Sequence, residues 1–292
     1  AWLFSLWPVP DNKRRRIITP AMTILQKRTG TSAAVLAAIL MSGIAAHESE
    51  AASRTVAKAP ECPLNGARVV SFARALDGGT FATTDGEEVR LSGILAFGAG
   101  GETASEPAAA ATRDALSKLL RDRTVTITPA DAARDRYGRI IAQVFADGTW
   151  VQAALLTEGE VRAAPDRASA PCASALLAAE VEGRERRLGL WRSGFRVLDP
   201  DGIRNRVGSF QVVEGSVVTA SVTRGRAFIN FGADYRTDFT VTIEPDDMRT
   251  FRQAKFDVPG LAGKRVRVRG WVEFYNGPEI TITTPAAIEV LE

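Results

Sequence analysis

The 292-residue sequence holds one histidine, His47, and two cysteines, Cys62 and Cys172. His47 falls in a segment expected to be removed, which would leave the mature chain without an imidazole. That excludes Ser/His and Cys/His nucleophilic sites and every His-ligated metal site. A surplus of one charge sign is missing as well. The net charge of +3 comes from residues 1–52, with six Lys/Arg against three Asp/Glu, and the remainder carries 31 of each. Bulk charge therefore gives no argument for a nucleic-acid partner, and only local clustering of arginine could supply one. Long apolar runs are scarce. The uncharged run from Thr31 to Ala46 spans 16 residues, many of them Ala, Gly or Ser, where a membrane span needs about 20 strongly apolar ones.

That run has the layout of an export signal. Lys27 and Arg28 precede it and the small residues Ser49, Ala51 and Ala52 follow, so cleavage is expected near Ala51 or Ala52. A membrane anchor is the competing reading. Residues 1–21 stand ahead of Met22 and read as sequence upstream of the true start, so Trp2 and Trp7 are expected to carry no function. The leader is then 1–52, and the product is expected to be periplasmic or secreted, with no stable anchor after cleavage. An oxidising compartment suits the two cysteines. A Cys62–Cys172 bridge would close a loop of about 110 residues, worth up to about 4 to 5 kcal/mol in the chain-entropy model. A reactive thiol would need a neighbouring base or cation, and Pro60, Glu61 and Pro63 offer Cys62 none.

What is present suffices for one or two ordinary cores, since 45% of residues are hydrophobic and 24% charged. The cluster of turn formers in 193–208 (Gly194, Asp199, Pro200, Asp201, Gly202) reads as a linker between modules at 53–192 and 209–292. In the first module, strands are expected at 68–75, 80–84 and 87–94. A helix follows, capped by Ser105, with apolar positions Ala108, Ala111, Ala115, Leu116 and Leu119. Further strands at 124–128 and 139–145 and helices at 151–158 and 173–187 complete it. The second module repeats the strand order, with strands at 210–223, 226–231, 238–243, 265–274 and 279–283 and a short helix from Pro245 to Gln253. Three strands, a helix and two strands is the OB arrangement. The expected fold is mainly β with α: two tandem OB-like five-stranded β-barrels, the first with packed helices.

Five pieces of the first module occur in register: Leu76-Asp77-Gly78-Gly79-Thr80, Val89-Arg90-Leu91, Asp135-Arg136-Tyr137-Gly138-Arg139, Ala146-Asp147-Gly148 with Val151-Gln152-Ala153-Ala154-Leu155, and Gly189-Leu190-Trp191. Over residues 66–192 they resemble the thermonuclease (staphylococcal-nuclease-like) family. The resemblance implies an OB barrel and calcium-dependent cleavage of DNA and RNA, with two phosphate-holding arginines at Arg90 and Arg139. It also implies calcium-ligand positions at Gly79, Leu95 and Ala96 and a water-activating position at Gly98. None of these four offers a carboxylate. Losing a general base costs about two to four powers of ten in rate, and losing the metal costs several kcal/mol more. No metal site and no cofactor is therefore expected, calcium entering only if the chain is active. Hydrolysis is expected to be impaired or lost, leaving a protein that binds nucleic acid or another anionic ligand. Rival readings are an active metal-dependent nuclease using substitute carboxylates, Glu102 and Glu106 among them with Asp77, and a non-enzymatic envelope protein-interaction module.

The arginine pair has two possible uses: gripping an anion bidentately, or pairing with Glu87, Glu88 or Asp135 as an ordinary ion pair. A second arginine row lies in the C-terminal module. Strand alternation places Arg265, Arg267, Arg269 and Trp271 on one face, which suits a track for a single nucleic-acid strand ending in a base-stacking ring. The module's 10 basic against 11 acidic residues favour a plain solvated sheet face, with Trp271 covering a barrel edge.

Overall fold

The computed structural model describes residues 66–101 and 106–291. The chain begins with β1 (Arg68–Val70), β2 (Phe72–Ala75), β3 (Thr80–Thr83), β4 (Glu88–Leu91) and β5 (Ile94–Ala96). Then come α1 (Glu106–Leu120), β6 (Val125–Arg134), β7 (Ile140–Ala146), β8 (Thr149–Trp150), α2 (Val151–Thr157), β9 (Val161–Ala163) and α3 (Ala173–Glu185). The second half comprises β10 (Val197–Leu198), β11 (Phe210–Ser216), β12 (Thr219–Thr223), β13 (Arg226–Asn230) and β14 (Thr240–Ile243). It ends with α4 (Met248–Gln253), β15 (Arg265–Phe274), β16 (Pro278–Thr281) and β17 (Ile288–Leu291). No described helix is long and apolar enough to cross a membrane.

The fold is mainly β with helices, as the sequence indicates, but two closed five-stranded barrels are not what the ladders draw. One sheet has seven strands along the path β1-β6-β7-β4-β3-β2, with β8 on β7. The other has eight, β10-β11-β15-β16-β14-β13-β12, with β17 on β15. Both paths are open. In the first sheet the two ends, β1 and β2, are separated in sequence by Ser71 alone, so the sheet must coil to bring its edges to one place. The short strands β9, β10 and β17 escape periodicity because two to four residues cannot display an alternation.

Turns fall where glycine and Asx residues demand them. Asp147 and Gly148 both have positive φ (47° and 81°) and join β7 to β8, the pairing a two-residue hairpin turn needs. α1 buries Thr112, Leu116 and Leu120, one turn apart each time. Of the expected apolar stripe Leu116 is buried and Ala115 and Leu119 pack against the core, while Thr112 and Leu120 complete the buried face and Ala111 is exposed. A Cβ on Gly78 would stand 2.6 Å from Thr112 Cβ, whereas one on Gly79 would meet nothing nearer than Asp77 Oδ1 at 3.7 Å. Gly78→Ala is therefore expected to cost about 1–3 kcal/mol by overpacking and Gly79→Ala to be near neutral, a contrast that urea melts of the two variants will read. Ser105, expected to cap α1, lies outside the described residues.

The motif at 151–155 is used for folding. Gln152 is fully buried, its Oε1 accepting from Val144 N (3.1 Å) and its Nε2 donating to Ala142 O (3.0 Å), so it completes the backbone ladder at β7.

The segment expected to be a linker is packed. Phe195 and Ile203 are buried, β10 pairs in parallel with β11, and Phe195 sits against Trp191 (5.4 Å between ring centroids) and Phe97 (5.6 Å). The two sheets consequently belong to one compact unit. Cys172 is buried and disulfide-bonded; Cys62 lies outside the described residues, as does the leader.

Candidate functional site

β4 and β7 run parallel, with Arg90 opposite Ile141, and the turn after β6 carries Asp135 to Arg139. Together with the 77–80 turn and β5 they wall a cavity of about 550 Å³ lined by Asp77, Gly79, Thr80, Arg90, Ile94, Leu95, Ala96, Ala99, Asp135, Arg136, Tyr137, Arg139 and Trp271. The two arginines and three of the four positions singled out for calcium chemistry, Gly79, Leu95 and Ala96, meet in one place. Gly98 follows β5 with φ 85° and is not part of the lining.

The arginines differ in state. Arg139 is tethered: its Nε donates to Asp135 Oδ2 at 2.8 Å and its Nη2 lies 2.7 Å from the same oxygen. Its guanidinium also lies 5.0 Å from the Tyr137 ring centroid. Arg90 is half-buried and has no ion-pair partner among the described residues, since Glu87 is taken by Arg68 and Arg134. One guanidinium is thus held in position and the other is left with its donors open, an arrangement that can close on a phosphate from two sides.

Burial works to raise the Asp135 carboxyl. Hydrogen bonds from the Arg139 side chain and from the backbone N–H groups of Arg139 and Tyr137 outweigh it, holding the carboxyl below its ordinary range. Because the folded-state value is the depressed one, this pair contributes stability that is complete above the unfolded-state value of about 3.9. It is lost as pH falls through the lower folded-state value. Melting temperature is therefore expected to hold from pH 7 to about 5 and to drop below about 4, with D135N losing part of that drop in an acid titration.

Calcium requires six to eight oxygen ligands. The side-chain oxygens in the lining are those of Asp77, Thr80, Asp135 and Tyr137. Asp77 Oδ1 accepts from Gly79 N at 2.6 Å and Asp135 is committed to Arg139. No group of three or more His, Cys, Asp or Glu suited to a metal occurs among the described residues. This donor set does not fit a calcium ion. Glu106, a possible substitute base, points elsewhere: it is in the first turn of α1, 83% exposed and 3.9 Å from Arg113. Glu102 lies outside the described residues.

With that geometry in hand, residues 88–193 match the family model described as Staphylococcal nuclease homologue. This segment belongs to the thermonuclease-like family. A search of curated proteins finds no match to the chain. Arg90, Leu95, Ala96 and Arg139 of the cavity lining fall inside this match, and Gly79 precedes it.

The C-terminal arginine row is corrected by the structure. Arg265 and Arg267 both pair with Glu214 on the neighbouring strand, at 3.1 and 2.5 Å. Arg269 is only 2% exposed and does not face solvent. Its Nη1 donates to Glu180 Oε2 (2.8 Å) and to Ala163 O (3.1 Å), and its Nη2 donates to Glu289 Oε1 (2.6 Å). Glu180, fully buried on α3, also accepts from Ala163 N at 2.7 Å. From the other side Arg162 donates to Phe210 O at 2.8 Å and lies over the rings of Phe195 and Phe210. Arg269 therefore lies in the seam between the second sheet and α3, while Arg265 and Arg267 pair within their own sheet.

Trp271 alone of that row reaches the cavity. Phe210 N donates to Gly100 O at 2.7 Å, which ties β11 to the loop after β5. Trp271 is the cross-strand partner of Phe210, edge to face at 6.2 Å, and is thereby delivered to the cavity wall, 45% exposed. Sequence reasoning found the ring but placed it on a separate surface, because alternation gives a face and not what the face packs against.

Proposed function

We propose that this chain is an exported nucleic-acid-binding protein whose nuclease-like cavity clasps a phosphate without efficient hydrolysis. The observation that carries the reading is the open Arg90 beside the tethered Arg139 in a cavity whose lining holds only two carboxylates, one of them tied to Arg139. Trp271 adds a face on which an unpaired base can stack, a contact worth about 1–3 kcal/mol and tolerant of sequence. The export part rests on the leader pattern of residues 27–52.

The residues act by binding and orientation. Arg90 and Arg139 neutralise two phosphate oxygens, Asp135 fixes the fork of Arg139, and Tyr137 shields it. Of the two carboxylates in the lining, Asp135 is held by Arg139 and Asp77 accepts from Gly79 N through one of its oxygens. Calcium, in the family, supplies Lewis acidity at the phosphate.

Incubation of single-stranded DNA and RNA with the protein, with calcium and with chelator, separates the alternatives. Retention of intact, salt-sensitive oligonucleotide in both conditions is the expected result. Cleavage that chelator abolishes would make the chain a working nuclease and overturn the reading.

A further inference from the structure

A second pocket, of about 450 Å³, is lined by Arg184, Arg187, Arg192 and Arg196 with Trp191, Phe195 and Val197. The arginines come from the last turn of α3, the second residue past its end at φ 52°, the 3₁₀ turn Gly189–Arg192, and the approach to β10. Placement at a helix C-terminus, where cations are favoured, accounts for Arg184. It does not account for Arg192 and Arg196, which lie beyond the helix. Only Arg184 has a carboxylate partner, Glu180 at 3.2 Å. The side chains of Arg187, Arg192 and Arg196 are exposed and form no ion pair or hydrogen bond with any described residue.

Every polar side chain in this lining is a hydrogen-bond donor. Guanidinium groups do not shed a proton near neutral pH, so their mutual repulsion cannot be relieved by titration; an anion relieves it. Burial and the nearby charge of Arg267 already push Arg184 down from its ordinary value. The indole Nε1 of Trp191, itself 7% exposed, has no hydrogen-bond partner, one more donor without an acceptor. A ligand matched to such a wall is rich in acceptors, negatively charged and free of donors, as a phosphodiester is and a peptide is not.

We propose that this pocket is a second anion site, seating backbone phosphates of a single-stranded nucleic acid in addition to the Arg90–Arg139 cavity. The nucleic-acid identity rests on the function proposed above; the anion site rests on its own four arginines.

The test compares wild type with R187A/R192A/R196A, binding two probes across a salt series: a thymidine 20-mer, and a nucleoside 3′,5′-bisphosphate small enough to fill the cavity alone. The three replaced side chains are exposed and unpartnered, so unchanged thermal melting will show the variant folded. With three phosphate-binding guanidinium groups removed, binding of the 20-mer is expected to weaken roughly tenfold or more, and the slope of log K against log salt to flatten by about 2. Bisphosphate affinity stays as in wild type. Unchanged 20-mer affinity and slope would overturn the proposal, as would a polyglutamate that binds wild type, fails on the variant and leaves 20-mer binding untouched. Failure of the cavity reading shows in the other ligand: bisphosphate binding would then survive R90A/R139A.

Discussion

Arg269→Ala is expected to lower the melting temperature by about 6–20 °C. The side chain is buried between Glu180, Glu289 and Ala163 O. Burial works against its charge, and the two carboxylates outweigh burial, holding the proton more tightly than in a free guanidinium. Removing one member of such a group leaves Glu180 fully buried with Arg184 as its remaining cation. Breaking a buried pair in this way costs about 3–5 kcal/mol, and each kcal/mol shifts the melting point of a chain this size by roughly 2–4 °C. Lysine keeps the charge but loses the fork, so R269K should fall between. The double variant E180Q/R269M should recover part of the loss, because it removes the fully buried carboxylate together with Arg269, while Arg184 and Glu289 each still lose a partner. Differential scanning calorimetry reads all three. An R269A protein that melted like wild type but bound oligonucleotide less well would restore the arginine row as a binding surface.

Replacing the cavity arginines is expected to abolish tight binding of a nucleoside bisphosphate, and unequally. Arg90 has no partner to leave stranded, so R90A forfeits only its charge-assisted hydrogen bonds, about 1.5–3 kcal/mol or roughly 10- to 150-fold in affinity. R139A removes a similar interaction and also exposes Asp135, whose charge then faces the phosphate across the cavity. Its loss should exceed that of R90A, and D135N in the R139A background should regain part of it. Equal losses, or no recovery, would mean that Asp135 does not act through Arg139.

Much of the first sheet was legible because its signals are local. The Asp-Gly turns and the 135–139 turn announce themselves within five residues, and the register of β3, β4 and β7 follows from where those turns sit. The significance of Arg90, Arg139, Gly79 and Leu95 came from the resemblance to the thermonuclease family and not from any local signal. What alternation could not supply was the partner of each face. Arg265, Arg267, Arg269 and Trp271 do share a side of β15, yet one is sealed under α3, two share the single carboxylate of Glu214, and one lines a cavity built by the other sheet. Sequence alone offers Arg90 a tether from Glu87 or Glu88 as readily as it offers Arg139 one from Asp135. The structure separates the two cases, because Arg68 and Arg134 reach Glu87 from β1 and the end of β6. The donors-only pocket at 184–197 left no trace in local sequence beyond scattered arginines, since its members come together only when α3, the 3₁₀ turn and β10 are packed.

The measurement that bears most directly on the nuclease-like cavity is a calorimetric titration of nucleoside 3′,5′-bisphosphate into the full chain, once with calcium and once with chelator. The same affinity in both, lost in R90A/R139A, is the expected result. Binding that needs calcium, with the ion taken up alongside the nucleotide, would contradict a cavity that holds its phosphate by arginine alone.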